Sequence, residues 1–112
     1  MIISTLKLKP APGKQMYVHQ ILHSLIGQNR VQPGCLRSAI YQDLEDCDRI
    51  TYVEEWESEK DLNRHLCSDR YLKILAAMEF AGEPPEVLFH TISRTRGMDA
   101  IQEARTGQKI GY

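Results

Sequence analysis

Residues 33–58 decide the fold: Pro33-Gly34-Cys35-Leu36-Arg37-Ser38-Ala39-Ile40-Tyr41-Gln42, then Asp43-Leu44-Glu45-Asp46-Cys47-Asp48, then Arg49-Ile50-Thr51-Tyr52-Val53-Glu54-Glu55-Trp56-Glu57-Ser58. The Pro-Gly pair is a turn signal, and the run from Cys35 to Gln42 reads as a strand. The polar segment Asp43 to Asp48 suits a tight connection. Arg49 to Trp56 is a second strand, rich in β-branched and aromatic residues. So short a link leaves room only for an antiparallel hairpin.

Upstream of this hairpin, Ile2, Ser4, Leu6 and Leu8 alternate with Ile3, Thr5, Lys7 and Lys9. Period two predicts a strand, ended by Pro10, Pro12 and Gly13. From Lys14 the period becomes helical. Val18, Ile21, Leu22, Leu25 and Ile26 form one apolar stripe, and Gly27 reads as its C-terminal signal. Downstream, Ser58 stands three residues before Asp61, a capping box with Asp in place of Glu. It opens a short helix with Leu62, His65 and Leu66 on one face. Ser68 or Asp69 caps another helix, with Tyr71, Leu72, Leu75 and Met78 as the expected inner stripe. Gly82 to Pro85 breaks the chain, and Glu86 to Ile92 alternates as a fourth strand.

The order β-α-β-β-α(α)-β is that of the split βαβ, ferredoxin-like α+β fold. It predicts an antiparallel four-stranded sheet with right-handed crossovers and all its helices on one face. The other face, with Ala39, Tyr41 and Val53, is then partly apolar and uncovered. A second copy in a symmetric dimer is the expected cover. Residues 1–92 form the expected domain. Residues 93–112 are an extension, either disordered or packed on a partner subunit, with a short helix from Met98 to Arg105. There Arg94, Arg96, Arg105 and Lys109 outnumber Asp99 and Glu103, which leaves +2 on the extension and −3 on the rest.

At 112 residues the chain is one ordinary domain. Hydrophobic residues make up 42% and charged residues 26%, a globular composition. A net charge of −1 argues against a general nucleic-acid binder and against a protein held to anionic lipid. No apolar run approaches the roughly 18 residues of a membrane helix, and Met1 to Leu6 lacks the basic start of a secretory signal. Cys35, Cys47 and Cys67 are odd in number and widely spaced, which suits a reduced, cytoplasmic protein. No glycine-rich phosphate loop is present, so nucleotide binding has no support.

Three groups stand out chemically. Trp56, the only tryptophan, shares a strand face with Glu54, Tyr52 and Ile50. It is either a core aromatic or a ring that stacks on a planar substrate and donates its indole N–H. His65 points inward with Leu62, as a satisfied half-buried side chain or as a general base. Glu54 must pair or reach water, and orienting His65 is one such use. Tyr52 packs or donates to a substrate oxygen. His19 and His23 have i, i+4 spacing but no evident third metal ligand. His65 and Cys67 diverge on their helix, and Cys35 after its turn reads as a packed thiol.

Pro33-Gly34-Cys35, Tyr41, the run Tyr52 to Ser58, Leu62, His65, Leu66 and Tyr71 together resemble the antibiotic biosynthesis monooxygenase family. In that family a Pro-Gly turn opens the second strand. The third ends in Glu-x-Trp before a capped, histidine-bearing helix. The resemblance implies a homodimeric α/β barrel with a pocket between helices and sheet in each subunit. It also implies oxidation of phenolic or quinol-like substrates by oxygen without metal, flavin or nicotinamide. The expected site is His65, Trp56 and Glu54 as catalytic groups, with Tyr52, Leu62, Tyr71 and Leu75 binding substrate. Aromatic polyketide monooxygenases of the family place an asparagine where this chain has Tyr52.

The haem-degrading branch of the fold uses a first-strand asparagine, the third-strand tryptophan and an iron-ligating histidine on the last helix. Here the first strand has no asparagine, and the helix from Asp69 to Ala81, with Leu75 near the ligand position, has no histidine. Haem degradation is therefore disfavoured, and no metal or other cofactor is expected. Two functions stay open: cofactor-independent oxygenation of a small aromatic or quinol, and a non-oxidative isomerase or binding module in the same pocket.

Overall fold

The computed structural model describes residues 1–109. Its elements run β1 (Ile2–Leu8), α1 (Gln15–Arg30), β2 (Cys35–Gln42), β3 (Ile50–Trp56), α2 (Glu59–Leu66), α3 (Asp69–Met78), β4 (Glu86–Thr91) and α4 (Asp99–Lys109). The sheet order is β2-β3-β1-β4, antiparallel throughout. This is the expected ferredoxin-like arrangement.

Register assigns the two faces. Opposite Tyr52 lie Ile40 and Leu6, and Leu6 faces Val87. This row packs with Leu8, Ile50 and the helix residues Val18, Leu22, Leu25, Ile74 and Ala77 into the main apolar core. The next row, Ala39, Val53, Thr5 and Leu88, points to the uncovered face. Ala39 and Val53 are half-buried there, and Tyr41 on the same face is exposed.

Gly34 makes the corner between α1 and β2. Its φ is +81°, and a side chain there would meet the Asp61 carboxyl at 2.2 Å. The position therefore needs glycine for conformation and for space. A bulge between Cys35 and Arg37 then sets Cys35, not Leu36, opposite Trp56.

The helices depart from the sequence reading in two places. Gly27 does not end α1, which continues to Arg30. An exposed helical glycine costs only about 1 kcal/mol, and the extra turn buries Asn29. In α3 the buried residues are Ile74 and Ala77, with Tyr71 and Met78 packed at the margin, while Leu72 and Leu75 are exposed. Ser68, whose side chain accepts from the Tyr71 N–H, fixes the phase of this helix. Small Ala77 is on the side that packs into the core with α1 residues.

The extension is helical from Asp99 to Lys109, longer than expected, with Met98 82% and Ile101 60% exposed. The rest of the expected tail, residues 110–112, lies outside the described residues. No helix among the described residues is long and apolar enough to cross a membrane.

Candidate functional site

The inward face of β3 changes character along its length. Ile50 and Tyr52 belong to the apolar core; Glu54 and Trp56 come next. Strand alternation sends all four beneath the helices. The Ser58 cap then starts α2, its Oγ accepting from the Asp61 N–H at 3.2 Å. That phase turns Leu62 and His65 inward. Ser68 Oγ donates to the His65 carbonyl at 2.6 Å and caps α3, so the α2–α3 corner is tied to the histidine's own backbone.

These elements bring Glu54, Trp56 and His65 together, each 1% exposed. His65 Nε2 lies 2.8 Å from Glu54 Oε2. The Trp56 and His65 rings stack with centroids 4.6 Å apart. Trp56 Nε1 donates to Glu54 Oε1 at 3.3 Å. Tyr71 meets the imidazole edge-on at 5.4 Å, and Leu62 packs with Trp56 and Ile2. Of the residues expected to bind substrate, Leu62 and Tyr71 therefore touch the cluster, while Tyr52 packs in the main core one inward position before Glu54. Leu75 is 45% exposed and lies outside both apolar clusters.

The sequence reading missed two members. Asn29, in the last turn of α1, places its Nδ2, with two hydrogens to donate, 3.2 Å from Glu54 Oε2, 3.3 Å from Ser38 Oγ and against the Tyr52 hydroxyl. Ser38 of β2 is buried beside it. The signal for Asn29 was its spacing: it continues the Val18, Leu22, Leu25 stripe at the next inward position.

The chemistry follows from the donor count. Glu54 accepts from an imidazole, an indole and an amide, which is how a carboxylate survives without water. Because Glu54 is the acceptor, a neutral His65 carries its proton on Nε2 and leaves Nδ1 as a lone pair. Nδ1 is buried and has no hydrogen-bond partner. Such a histidine can take a proton from a group brought to that nitrogen. Tyr52 is poorly suited to ionise: burial first, and then the charge of Glu54, push its phenol well above the usual tyrosine value. Burial raises the Tyr71 phenol too, with Glu54 adding to it.

The remaining candidates lie elsewhere. His19 and His23 are exposed on α1 along an open groove of about 720 Å³ that Cys47 and Asp48 also line. His90 is exposed on β4, and the three cysteines are free. Burial raises the Cys35 thiol. Among the described residues no three His, Cys, Asp or Glu side chains come together as a metal-binding set.

No curated protein matches this chain. Solved structures do. A Deinococcus radiodurans protein is 17% identical, covers 88% of this chain and 98% of its own, and superposes with a TM-score of 0.79. A Mycobacterium tuberculosis protein is 18% identical over 86% and 98%, with a TM-score of 0.77. A conserved protein of Methanosarcina mazei is 28% identical over 80% and 89%, with a TM-score of 0.73. These likenesses share the sheet and helices that hold Glu54, Trp56 and His65 here. The family model for antibiotic biosynthesis monooxygenase matches residues 1–77, from β1 through the inner turns of α3. The chain belongs to the antibiotic biosynthesis monooxygenase family.

Proposed function

We propose that this protein is a cofactor-independent monooxygenase of a small aromatic, phenolic or quinol-type substrate, with His65 as general base. The observation that carries this reading is the buried Glu54–His65 pair, stacked on Trp56 and holding an unpartnered Nδ1. Membership of the family supports the reaction class.

In this mechanism Nδ1 accepts the substrate hydroxyl proton, and Glu54 stabilises the imidazolium that forms. The electron-rich substrate anion reduces oxygen and forms a carbon–oxygen bond to it. Loss of water from the resulting peroxide leaves a carbonyl. The proton held on His65 returns to the peroxide and the attacked carbon gives up its C–H proton, so one oxygen atom enters the product, the other leaves as water, and all four electrons come from the substrate. Trp56 and Tyr71 hold the aromatic plane, and Leu62 completes the apolar wall. Because Glu54 and His65 are sealed in the protomer, substrate binding displaces the α2–α3 corner around Leu66 and Tyr71.

Residues 1–92 serve as the catalytic domain and 93–112 as an extension, in a cytoplasmic homodimer. The half-buried outer row of Ala39, Val53 and Thr5 supports sheet-to-sheet pairing. Light scattering at micromolar concentration should give twice 12.9 kDa, and a folded monomer that persists on dilution refutes the pairing. The reaction is tested by oxygen uptake with a panel of quinols. His65→Ala should lower turnover by roughly 10²-fold or more. Loss of stability with unchanged turnover per folded molecule makes His65 a packing residue.

A further inference from the structure

The stripe of α1 that faces the sheet runs Val18, Leu22, Leu25 and then Asn29, all fully buried. Three of the four are the aliphatic residues such a position ordinarily holds. A leucine at 29 would extend the core; an amide there has to be desolvated and bonded. The amide is reached only because α1 runs one turn beyond Gly27. Its Nδ2 approaches the same Glu54 oxygen, Oε2, that His65 uses. Trp56 holds the other oxygen. The carboxylate is thereby fixed from α1, β3 and α2 at once.

We propose that Asn29 is a positioning residue, which aims Glu54 at His65 Nε2 and so makes Nδ1 the proton-accepting nitrogen. The role rests on the general-base reading above, but its physical content does not depend on turnover. If Glu54 loses the Asn29 bond, Oε2 keeps only the imidazole and Trp56 alone steadies Oε1, so the carboxylate is held less firmly toward Nε2. The preference for the Nε2–H tautomer, which that acceptor sets, is then weakened. Ser38 marks the limit of the effect: it lies opposite Glu54 on β2 and contacts the same Asn29 amide nitrogen at 3.3 Å, but its hydroxyl is hydrogen-bonded to neither Glu54 nor His65.

The test is the tautomer of His65, read by long-range proton–nitrogen correlation on the full-length, uniformly labelled protein without substrate. The four histidines are assigned by single His→Gln variants. Wild type should show His65 with its proton on Nε2. Asn29→Asp keeps the shape but turns the donor into an acceptor facing Glu54, and should abolish the single Nε2–H form. Asn29→Ala should give a mixture of tautomers. Ser38→Ala should leave the wild-type pattern in place. A wild-type protein with the proton on Nδ1 overturns the proposal whatever the variants do. So does an unchanged Nε2–H form in a folded Asn29→Asp. If the pattern follows Asn29 but no quinol drives oxygen uptake, the positioning role stands and the oxygenase reading fails alone.

Discussion

Strand β3 carries two different neighbourhoods on one face. Its first half, Ile50 and Tyr52, meets Leu6, Leu8, Leu22 and Leu25 in an apolar core. Its second half, Glu54 and Trp56, meets an imidazole from α2 and an amide from α1. Alternation buries both halves equally, so the strand itself does not distinguish them. The helices do, by what they lay over each half. The apolar half stabilises through area removed from water, while the polar half breaks even at best. A buried charge and its partners return little more than their desolvation costs. A fold that keeps such a cluster uses it for something other than stability.

That contrast predicts opposite outcomes from the two halves. Leu22→Ala removes a fully buried side chain from the apolar half and should cost about 3–4 kcal/mol of stability, with turnover per folded molecule kept. Urea unfolding together with oxygen uptake checks it. A lower turnover at full folding erases the division of labour. Glu54→Gln has the same shape but only one accepting oxygen, so one of its three donors meets an amide N–H. Turnover should fall by roughly 10²-fold or more, about 2.7 kcal/mol of barrier. The loss of stability should be smaller, about 1–3 kcal/mol, the cost of one orphaned buried donor. Normal turnover in this variant removes the charge from the mechanism.

The apolar half was legible from the sequence because hydrophobic spacing encodes it directly. The strands, the hairpin and the caps at Ser58 and Ser68 all follow from local signals, and so does the inward turn of His65. Two errors share a cause. Reading Gly27 as a helix end, and Leu72 with Leu75 as inner residues, weighs one residue type above tertiary context. Packing carries α1 through a glycine and leaves two leucines of α3 exposed. The polar half was only partly legible. Glu54, Trp56 and His65 lie close in sequence and show their shared side by period. Asn29 is 25 residues from Glu54 and is joined to it by the register of α1 over β3. Only the inward spacing after Leu25 hinted at it.

Tyr52 lies on the border of the two halves and sharpens the comparison through pH. Its ring packs in the apolar core, and its hydroxyl meets Asn29 of the polar cluster. An unfolded tyrosine releases its proton near pH 10. In the folded chain burial, and after it the charge of Glu54, hold the proton to a higher pH. Below pH 10 both states are protonated and the native contribution is complete. Above it the unfolded state binds fewer protons than the native one, so stability falls as pH rises. One such tyrosine accounts for about 1.4 kcal/mol between pH 8.5 and 11. Tyr52→Phe should unfold more easily at pH 8.5, by about 1 kcal/mol for the lost hydrogen bond. Its stability should then decline less than that of wild type toward pH 11, so that the two curves converge. Tyr71→Phe isolates the share of the second raised phenol. Urea unfolding across that interval gives the difference directly. Parallel curves for wild type and Tyr52→Phe show a phenol that ionises as freely folded as unfolded, and with it a polar half open to water.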